Sequence, residues 1–257
     1  MKGTYPLVAL CCLCVPATVG AAAGTPVPTY VTAAVADAAR PASDVSLDDV
    51  RKPRQVIAFA GARPGDRIAD FMSGNAYFTR IFSRVVGPHG HVYAFLPTQE
   101  LENCSPDETS GTKALSGDDR YRNVSIIEAP TEEFATPEAL DLVFTAQNFH
   151  DLYDSFMGPS DVPAVNRAIF NALKPGGVYL VIDHVAAAGS GLRDTETLHR
   201  IDPRSLRDAV LAAGFVFEAE STELRNPADS HALRIFDPAI RHRTDQVILK
   251  FRKPFAD

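Results

Sequence analysis

Residues 67–96 have the sequence RIADFMSGNAYFTRIFSRVVGPHGHVYAFL, and this stretch decides the fold of the chain. Residues 68–71 are a short, mostly apolar run typical of a buried strand, and residues 73–76 supply the small side chains of a tight loop. Residues 77–86 carry apolar side chains at helical spacing, and a Gly-Pro pair ends this helix before the next strand. A strand that feeds a helix through such a loop leaves backbone N–H groups open to a ligand at the positive end of the helix. The stretch therefore predicts a nucleotide-type cofactor site.

The rest of the chain continues the alternation of strands and helices that is typical of an α/β fold. The segment Leu-Lys-Pro-Gly-Gly at 173–177 lies between an amphipathic helix and an apolar strand, so it is predicted to end the helix and reverse the chain. Asp161 is predicted to cap the start of that helix. Strands are predicted near 67–71, 91–95, 124–128, 141–147, 178–183, 215–222 and 245–251, and helices near 31–38, 53–60, 77–86, 162–173 and 204–213.

The loop at 70–76 resembles the first motif of class I S-adenosylmethionine-dependent methyltransferases, in which a glycine-spaced loop follows a strand-end acid. Segments 139–152, 173–184 and 212–215 resemble the fourth strand, the fifth strand and the end of the following helix in that family. The resemblance covers about residues 50–253 and looks closest to a group of exported bacterial proteins described as predicted methyltransferases. It implies a Rossmann-like methyltransferase sandwich, with a mostly parallel seven-stranded sheet and an antiparallel last strand.

The resemblance also implies S-adenosylmethionine as the cofactor and a set of residues that would hold it. Two positions depart from the family pattern. Met72 stands where the family usually has the first loop glycine, and Leu96 stands where it has the acid that binds the ribose hydroxyls. The residues assigned by the resemblance are Asp70, Ser73, Gly74 and Asn75 for the methionine part, Ala129 for the adenine, and Gln147 beside the transferred methyl group.

Three histidines are candidates for the proton transfer that methylation of a hydroxyl requires. His150 and His184 follow adjacent predicted strands, and His199 lies just ahead of a predicted helix. Residues 149–152 resemble the His-Asp pair of some small-molecule O-methyltransferases. Histidine suits the role of base because its ordinary pKa lies near neutrality. The prediction is methyl transfer to a small molecule at oxygen, with the three histidines in one catalytic pocket. The competing interpretation is that His150 and His184 bond loop carbonyls and that His199 and Arg200 form a surface pair.

A metal ion is not predicted. Asp183-His184 resembles the acidic pair after the fifth strand of metal-dependent O-methyltransferases, and His150, Asp151 and His199 could add ligands. However, the chain has neither a His-x-x-x-His helix nor a Cys/His cluster of the spacing that metal sites usually show.

The first 23 residues have a positive start, an apolar stretch and a run of small residues, which together predict a secretory signal peptide. The predicted organisation is a signal peptide at 1–23, a leader with an N-terminal helix at 24–50, and a methyltransferase-like domain at 51–257. The predicted location is the bacterial periplasm. Cys104 would be the one cysteine of the mature chain, which excludes an internal disulfide.

Composition favours one globular domain, since 46% of the 257 residues are hydrophobic and 22% are charged. The net charge is −7 and the basic residues are scattered, which excludes a nucleic-acid footprint. A small basic cluster at 51–54 is expected on the solvated surface. The predicted partner is therefore a small-molecule substrate, with no integral membrane segment in the mature chain, and the sequence does not specify an oligomeric state.

Two other functions remain open at this stage. An exported methyltransferase would need S-adenosylmethionine outside the cytosol where it is made. The chain could instead be a binding or scaffold protein that kept the fold and lost the cofactor, or a metal-assisted hydrolase that uses the histidines. Met72 and Leu96 favour these alternatives, whereas Asp70, Gly74 and the 173–177 segment favour methyl transfer.

Overall fold

The computed structural model describes residues 26–158 and 160–256, which form a seven-stranded sheet with helices on both faces. The strands are β1 (Arg67–Phe71), β2 (His91–Pro97), β3 (Val124–Ala129), β4 (Leu140–Ala146), β5 (Leu173–His184), β6 (Val216–Ser221) and β7 (Gln246–Arg252). The α-helices are α1 (Thr29–Val35), α2 (Ala42–Val45), α3 (Asp48–Arg51), α4 (Pro53–Ala60), α5 (Tyr77–Val86), α6 (Thr98–Asn103), α7 (Ser110–Lys113), α8 (Val162–Ala172), α9 (Thr195–Leu198) and α10 (Pro203–Leu211).

The strands follow the order β3-β2-β1-β4-β5-β7-β6 across the sheet. Neighbours from β3 to β5 pair in parallel, and β7 pairs antiparallel with both β5 and β6. The predicted Rossmann-like sandwich, with a mostly parallel seven-stranded sheet and an antiparallel last strand, is confirmed. The strand order reverses between β1 and β4. Ligands of open α/β sheets bind in the crevice outside the carboxyl ends of the strands at such a reversal.

Two apolar cores cover the two faces of the sheet because successive side chains of each strand point to opposite faces. Along β5, Tyr179 lies in one core and Leu180 in the other. The first core packs against α8 and α10, where Val165 and Leu206 are fully buried. The second packs against α1, α4 and α5, where Ile81 is fully buried. The sheet is therefore rigid on both sides, and its strand ends hold the loops of the site in place.

Several element boundaries follow from local chemistry. Helices α4 and α5 have the predicted bounds, and Asp161 caps α8 by accepting a hydrogen bond from the Ala164 N–H at 3.0 Å. α8 ends at Ala172, next to the predicted end of this helix. The segment 173–177, predicted to be a turn, is instead an irregular widening inside β5. Pairing with β4 passes from Leu173 directly to Val178, so the extra residues bulge out of the ladder.

The long link at 223–243 folds back over the ends of the strands. Arg200 anchors it, since its guanidinium is fully buried and binds the Asp229 carboxylate at 2.8 Å. The same side chain donates to the carbonyls of Leu233 and Val185, each at 2.9 Å. The alternative that His199 and Arg200 form a surface pair is therefore wrong for Arg200, which joins the link to β5.

The N-terminal helices α1, α2 and α3 pack against the domain, and α1 buries Val31 and Val35 in the second core. The predicted signal peptide at 1–23 lies outside the described residues. Across 26–158 and 160–256, none of the helices has the length and apolar character that crossing a membrane requires.

Candidate active site

Two cavities lie at the carboxyl ends of the central strands. The large cavity, about 650 Å³, is bounded by the β1–α5 loop, by α2 and α3, and by residues that follow β2 and β4. The small cavity, about 230 Å³, lies beside it under the long link. Arg51, Gln147 and Asp151 line both cavities. Two ligands bound in them would meet at these three side chains.

The β1–α5 loop bends through three residues with left-handed backbone. Met72 has φ 59°, Gly74 has φ 50° and Ala76 has φ 63°. Glycine adopts this conformation without strain, whereas another residue there costs about 1–3 kcal/mol. The Asn148 amide holds the turn by donating to the Met72 carbonyl at 2.8 Å. Met72 adopts the left-handed conformation that glycine usually supplies at this position. Its side chain therefore does not prevent the loop from forming.

A cover formed by residues 104–113 closes over this loop. The Asn75 side-chain oxygen accepts from the Gly111 N–H at 2.8 Å, and the Thr112 hydroxyl donates to the Gly74 carbonyl at 2.8 Å. Ser73 Oγ lies 3.2 Å from the Thr112 hydroxyl. A Cβ on Gly111 would lie 2.4 Å from the Asn75 carbonyl, so only glycine fits there. Ser73, Gly74 and Asn75 all line the large cavity as predicted, but the Asn75 amide is already engaged in holding the cover.

Asp70, the next-to-last residue of β1, has an almost fully buried carboxyl and lines the large cavity. It accepts a hydrogen bond from the Thr79 hydroxyl at 2.5 Å, which ties the strand to α5. Burial raises the pKa of Asp70 to about 7, against the opposing effect of the Thr79 hydrogen bond. The group is therefore poised between neutral and charged states near physiological pH.

The first acidic residue after β2 lies three residues beyond the end of that strand. Leu96 is fully buried inside that strand, which continues to Pro97. Glu100, in α6, lines the large cavity, and its Oε2 is buried without a hydrogen-bond partner among the described residues. Burial raises its pKa to about 7, and the nearby Asp151 carboxylate acts in the same direction. Sequence reasoning missed Glu100, although it is the first acid after the second strand.

Of the other two predicted cofactor residues, Gln147 lines the large cavity and Ala129 does not. Gln147 has left-handed backbone at φ 69° directly after β4, and its side chain donates to the Gln246 side-chain oxygen at 3.0 Å. It lines both cavities. Ala129 ends β3 beside Pro97 and is not among the residues that line the large cavity. The structure thus brings five of the six predicted cofactor residues to one cavity.

Arg51 is a site residue that sequence reasoning assigned to the solvated surface. It is half-buried between the two cavities, with its guanidinium stacked on the Tyr77 ring at 4.6 Å from the centroid. In 26–158 and 160–256, the guanidinium makes no hydrogen bond or ion pair. A cation with free donors at the junction of two cavities can bind an anionic group of a ligand. The prediction for the 51–54 cluster is therefore wrong at Arg51, because α3 turns it inward.

The three candidate histidines do form one group, as predicted. The ring centroid of His150 lies 6.0 Å from that of His184 and 5.4 Å from that of His199. All three line the small cavity. The carboxyl ends of β4 and β5 are neighbours, which brings His150 and His184 together, and the loop after β5 returns His199 to them.

His150 is held between carboxylates on both sides of its ring. It is 1% exposed; Nδ1 lies 2.8 Å from Asp183 Oδ1, and Nε2 lies 3.1 Å from Asp151 Oδ1. Burial opposes a charge on the ring, but the Asp183 and Asp151 carboxylates hold the pKa of His150 well above its ordinary value. A ring that donates from both nitrogens has no lone pair with which to accept a proton. This geometry argues against His150 as the base.

His184 and His199 differ in the partners of their ring nitrogens. Burial lowers the pKa of His184 well below its ordinary value, and its Nδ1 lies 2.8 Å from the Thr244 hydroxyl. No described residue forms a hydrogen bond with its Nε2. His199 Nε2 accepts from Arg234 at 2.9 Å, which leaves the proton on Nδ1, facing Asp154 at 3.5 Å. His184 is thus the histidine of the three that keeps a free lone pair beside the small cavity.

The chain was compared with known proteins by sequence and by structure. No family model matches it. It is 28% identical over 178 residues to a ubiquinone/menaquinone biosynthesis C-methyltransferase of Vibrio cholerae, a match that covers 66% of this chain and 62% of that protein. The match therefore spans less than two thirds of the relative's length.

Two solved structures share the fold at low sequence identity. A SAM dependent methyltransferase from Aquifex aeolicus superposes with a TM-score of 0.55 at 14% identity, over 83% of this chain and 94% of that one. The [4+2]-cyclase SpnF superposes with a TM-score of 0.57 at 18% identity, over 84% of this chain and 82% of that one. The fold is thus shared by proteins of different activities, and the function must be argued from the site.

Proposed function

We propose that this chain, which has the fold of the class I S-adenosylmethionine-dependent methyltransferases, binds S-adenosylmethionine in the large cavity and transfers its methyl group to a small molecule in the small cavity. The observation that carries the proposal is the junction of the two cavities at Gln147, Arg51 and Asp151. Methyl transfer is an in-line displacement, so donor and acceptor must approach from two adjoining compartments. A binding protein for one ligand would not need the second compartment.

The large cavity offers partners for each polar part of the cofactor. Glu100 has a buried oxygen without a partner among the described residues, and this oxygen would accept hydrogen bonds from the ribose hydroxyls in place of the acid missing at Leu96. Arg51 has free donors for the methionine carboxylate. The left-handed loop at Met72–Ala76 lets the ligand approach the backbone closely. These groups compensate for Met72 and Leu96, the two departures from the family pattern that favoured loss of the cofactor.

For the acceptor we propose an anionic small molecule with a hydroxyl group, methylated at oxygen. Arg51 and Arg241 line the small cavity and can bind a carboxylate on the acceptor. His184 can take the hydroxyl proton in the transition state, because its Nδ1 can donate to Thr244 while Nε2 keeps its lone pair. His199 has its Nε2 occupied by Arg234, and His150 is held by two carboxylates.

Methylation at carbon is the second candidate. The relative from Vibrio cholerae is named a C-methyltransferase. A ring carbon next to a hydroxyl becomes nucleophilic when that hydroxyl loses its proton, so the same base would serve either outcome. Incubation with methyl-labelled cofactor and phenolic carboxylic acids, followed by NMR of the product, distinguishes the two, since O-methyl and C-methyl carbons resonate far apart.

Titration calorimetry with S-adenosylmethionine and S-adenosylhomocysteine tests the core of the proposal. Binding in the micromolar range is expected, together with a rise in melting temperature, because a ligand that binds only the native state stabilises it. Arg51→Gln should weaken binding, whereas Arg54→Gln, in the same sequence cluster but outside both cavities, should not. If neither ligand produces heat or stabilisation, the cofactor assignment fails and the scaffold alternative stands.

We also propose export to the periplasm, on the basis of the first 23 residues. Mass spectrometry of the protein from its native host should find a mature N-terminus near Gly24. An intact Met1 in the cytosolic fraction would refute export.

A further inference from the structure

Four side chains beside the small cavity have the geometry of a metal-binding site, and one of them, Asp151, also lines the large cavity. We call the group of His150, Asp151, Asp154 and His199 the His/Asp cluster. Each residue offers one ligand atom, and these atoms all lie within 4.8 Å of one another. Three of the separations are 3.1, 3.5 and 3.6 Å. Metal bonds of about 2.1 Å at tetrahedral angles put neighbouring ligand atoms about 3.4 Å apart, so only small side-chain shifts would be needed.

Asp154 is the observation that points to a missing ligand. Its side chain is 1% exposed, and neither carboxylate oxygen has a hydrogen-bond partner among the described residues. The groups that face it are His199 Nδ1, at 3.5 Å from Oδ2, and the Thr195 hydroxyl; burial raises the pKa of Asp154 and the Thr195 hydroxyl opposes this. A buried carboxylate without partners is costly, and proteins normally satisfy such a group by pairing it or by using it to bind a metal.

Asp183 orients His150 as a metal ligand. Its Oδ1 lies 2.8 Å from Nδ1, and its Oδ2 accepts from the His150 backbone N–H at 2.7 Å. A proton is thus held on Nδ1, while Nε2 lies on the side of the cluster, 3.1 Å from Asp151, and would release its own proton to solvent when it binds a metal ion. A carboxylate behind a histidine that ligates through its other nitrogen is the usual outer-shell arrangement of metal sites.

We propose that the His/Asp cluster binds one divalent transition-metal ion through two imidazole nitrogens and two carboxylates. This ligand set suits zinc, cobalt, nickel, iron or manganese, and it disfavours magnesium and calcium, which prefer all-oxygen sites. Ligation of His199 through Nδ1 moves its proton to Nε2, so the exposed Arg234 that now donates to Nε2 must turn away. The ion would form part of the wall of the small cavity, which His150, Asp151 and His199 line.

Calorimetry with the chelator-treated protein, titrated with Zn²⁺ alone, tests the site without reference to any activity. One equivalent should bind with micromolar or tighter affinity, Co²⁺ should give visible absorption bands, and Mg²⁺ should not compete. Asp154→Asn and His199→Gln should each lower the affinity at least ~tenfold. His231→Gln, which removes a histidine outside the cluster, should leave it unchanged.

Asp154→Asn also provides a readout in the absence of metal. It replaces a buried carboxylate whose oxygens have no hydrogen-bond partner among the described residues, so its melting temperature in chelator should exceed that of the unaltered protein, while its gain on adding Zn²⁺ should be smaller. The proposal is overturned if Zn²⁺ does not bind stoichiometrically, or if Asp154→Asn and His199→Gln both bind it as the unaltered protein does. These outcomes do not depend on whether S-adenosylmethionine binds.

Discussion

Glu100 is expected to set both the strength and the pH dependence of cofactor binding. Its carboxylate lines the large cavity with one oxygen unpartnered, at the position after β2 where the ribose hydroxyls would lie. A hydrogen bond to a charged group contributes about 1.5–3 kcal/mol, so Glu100→Gln should raise the dissociation constant roughly 10- to 150-fold. Because the change preserves size and shape, the domain should remain folded.

The pH dependence follows from the pKa of Glu100, which burial raises to about 7. Only the ionised carboxylate accepts from both ribose hydroxyls. About nine tenths of the Glu100 carboxyls are ionised at pH 8, one unit above that pKa, and about one tenth at pH 6, one unit below it. Affinity for the cofactor should therefore fall roughly tenfold from pH 8 to pH 6. The Glu100→Gln variant should lose this contribution to the pH dependence.

Calorimetric titration with S-adenosylhomocysteine from pH 6 to pH 8 measures both effects. Glu102→Gln is the matched control, since Glu102 is exposed on the same helix and does not line the cavity. If Glu100→Gln binds the ligand as tightly as the control does, with the same pH profile, Glu100 does not contact the ribose. The acid lost at Leu96 would then have no replacement.

Asp70→Asn should flatten the dependence of stability on pH. Burial raises the pKa of Asp70 from 3.8 to about 7, so the native state of the unaltered protein loses stability, on the order of a few kcal/mol, as pH rises from about 4 through 7. Thermal melts of both proteins over this pH range check the prediction. His150→Ala should cost about 3–5 kcal/mol in urea unfolding, because it leaves the fully buried Asp183 carboxylate with backbone N–H donors but without its imidazole partner, and an unchanged midpoint would contradict that pairing. Gly74→Val should abolish cofactor binding in a folded but weakened domain. Valine is strained at the Gly74 backbone angle φ of +50°, although the nearest atom to a new Cβ is 3.7 Å away. A variant that binds normally would locate the ligand elsewhere. His184→Ala should lower turnover by about 10²–10⁴-fold with little change in cofactor affinity, whereas equal losses in both would indicate a structural role.

The sheet could be predicted from sequence because its signals are local. Apolar runs bounded by glycine and proline marked the strands, and helical spacing marked α4 and α5 to the residue. The gathering of His150 and His184 could also be predicted, since the carboxyl ends of neighbouring parallel strands meet at one edge. The prediction differed from the structure at 173–177, where pairing with β4 absorbed residues that local chemistry assigns to a turn.

The chemistry of the site depends on contacts that no local pattern contains. Met72 argued against a glycine-like loop, yet the Asn148 amide and the packed strand end hold it in a left-handed conformation. Glu100 and Arg51 lie in short helices whose orientation is set by packing, so their exposure could not be inferred from polarity.

The sequence by itself determined the positions of the strands, because hydrophobic periodicity and turn residues act over a few neighbouring positions. The mostly parallel sheet was implied by the family resemblance, and the edge at which ligands gather follows from that arrangement. Only the tertiary structure decided the protonation and partners of the histidines, because charge and burial there come from residues far apart in the chain. Asp183 and Asp151 hold a charge on His150 from two strand ends, while burial keeps His184 neutral. Electrostatic interactions in a buried site depend on distance through space, and sequence separation carries no information about that distance.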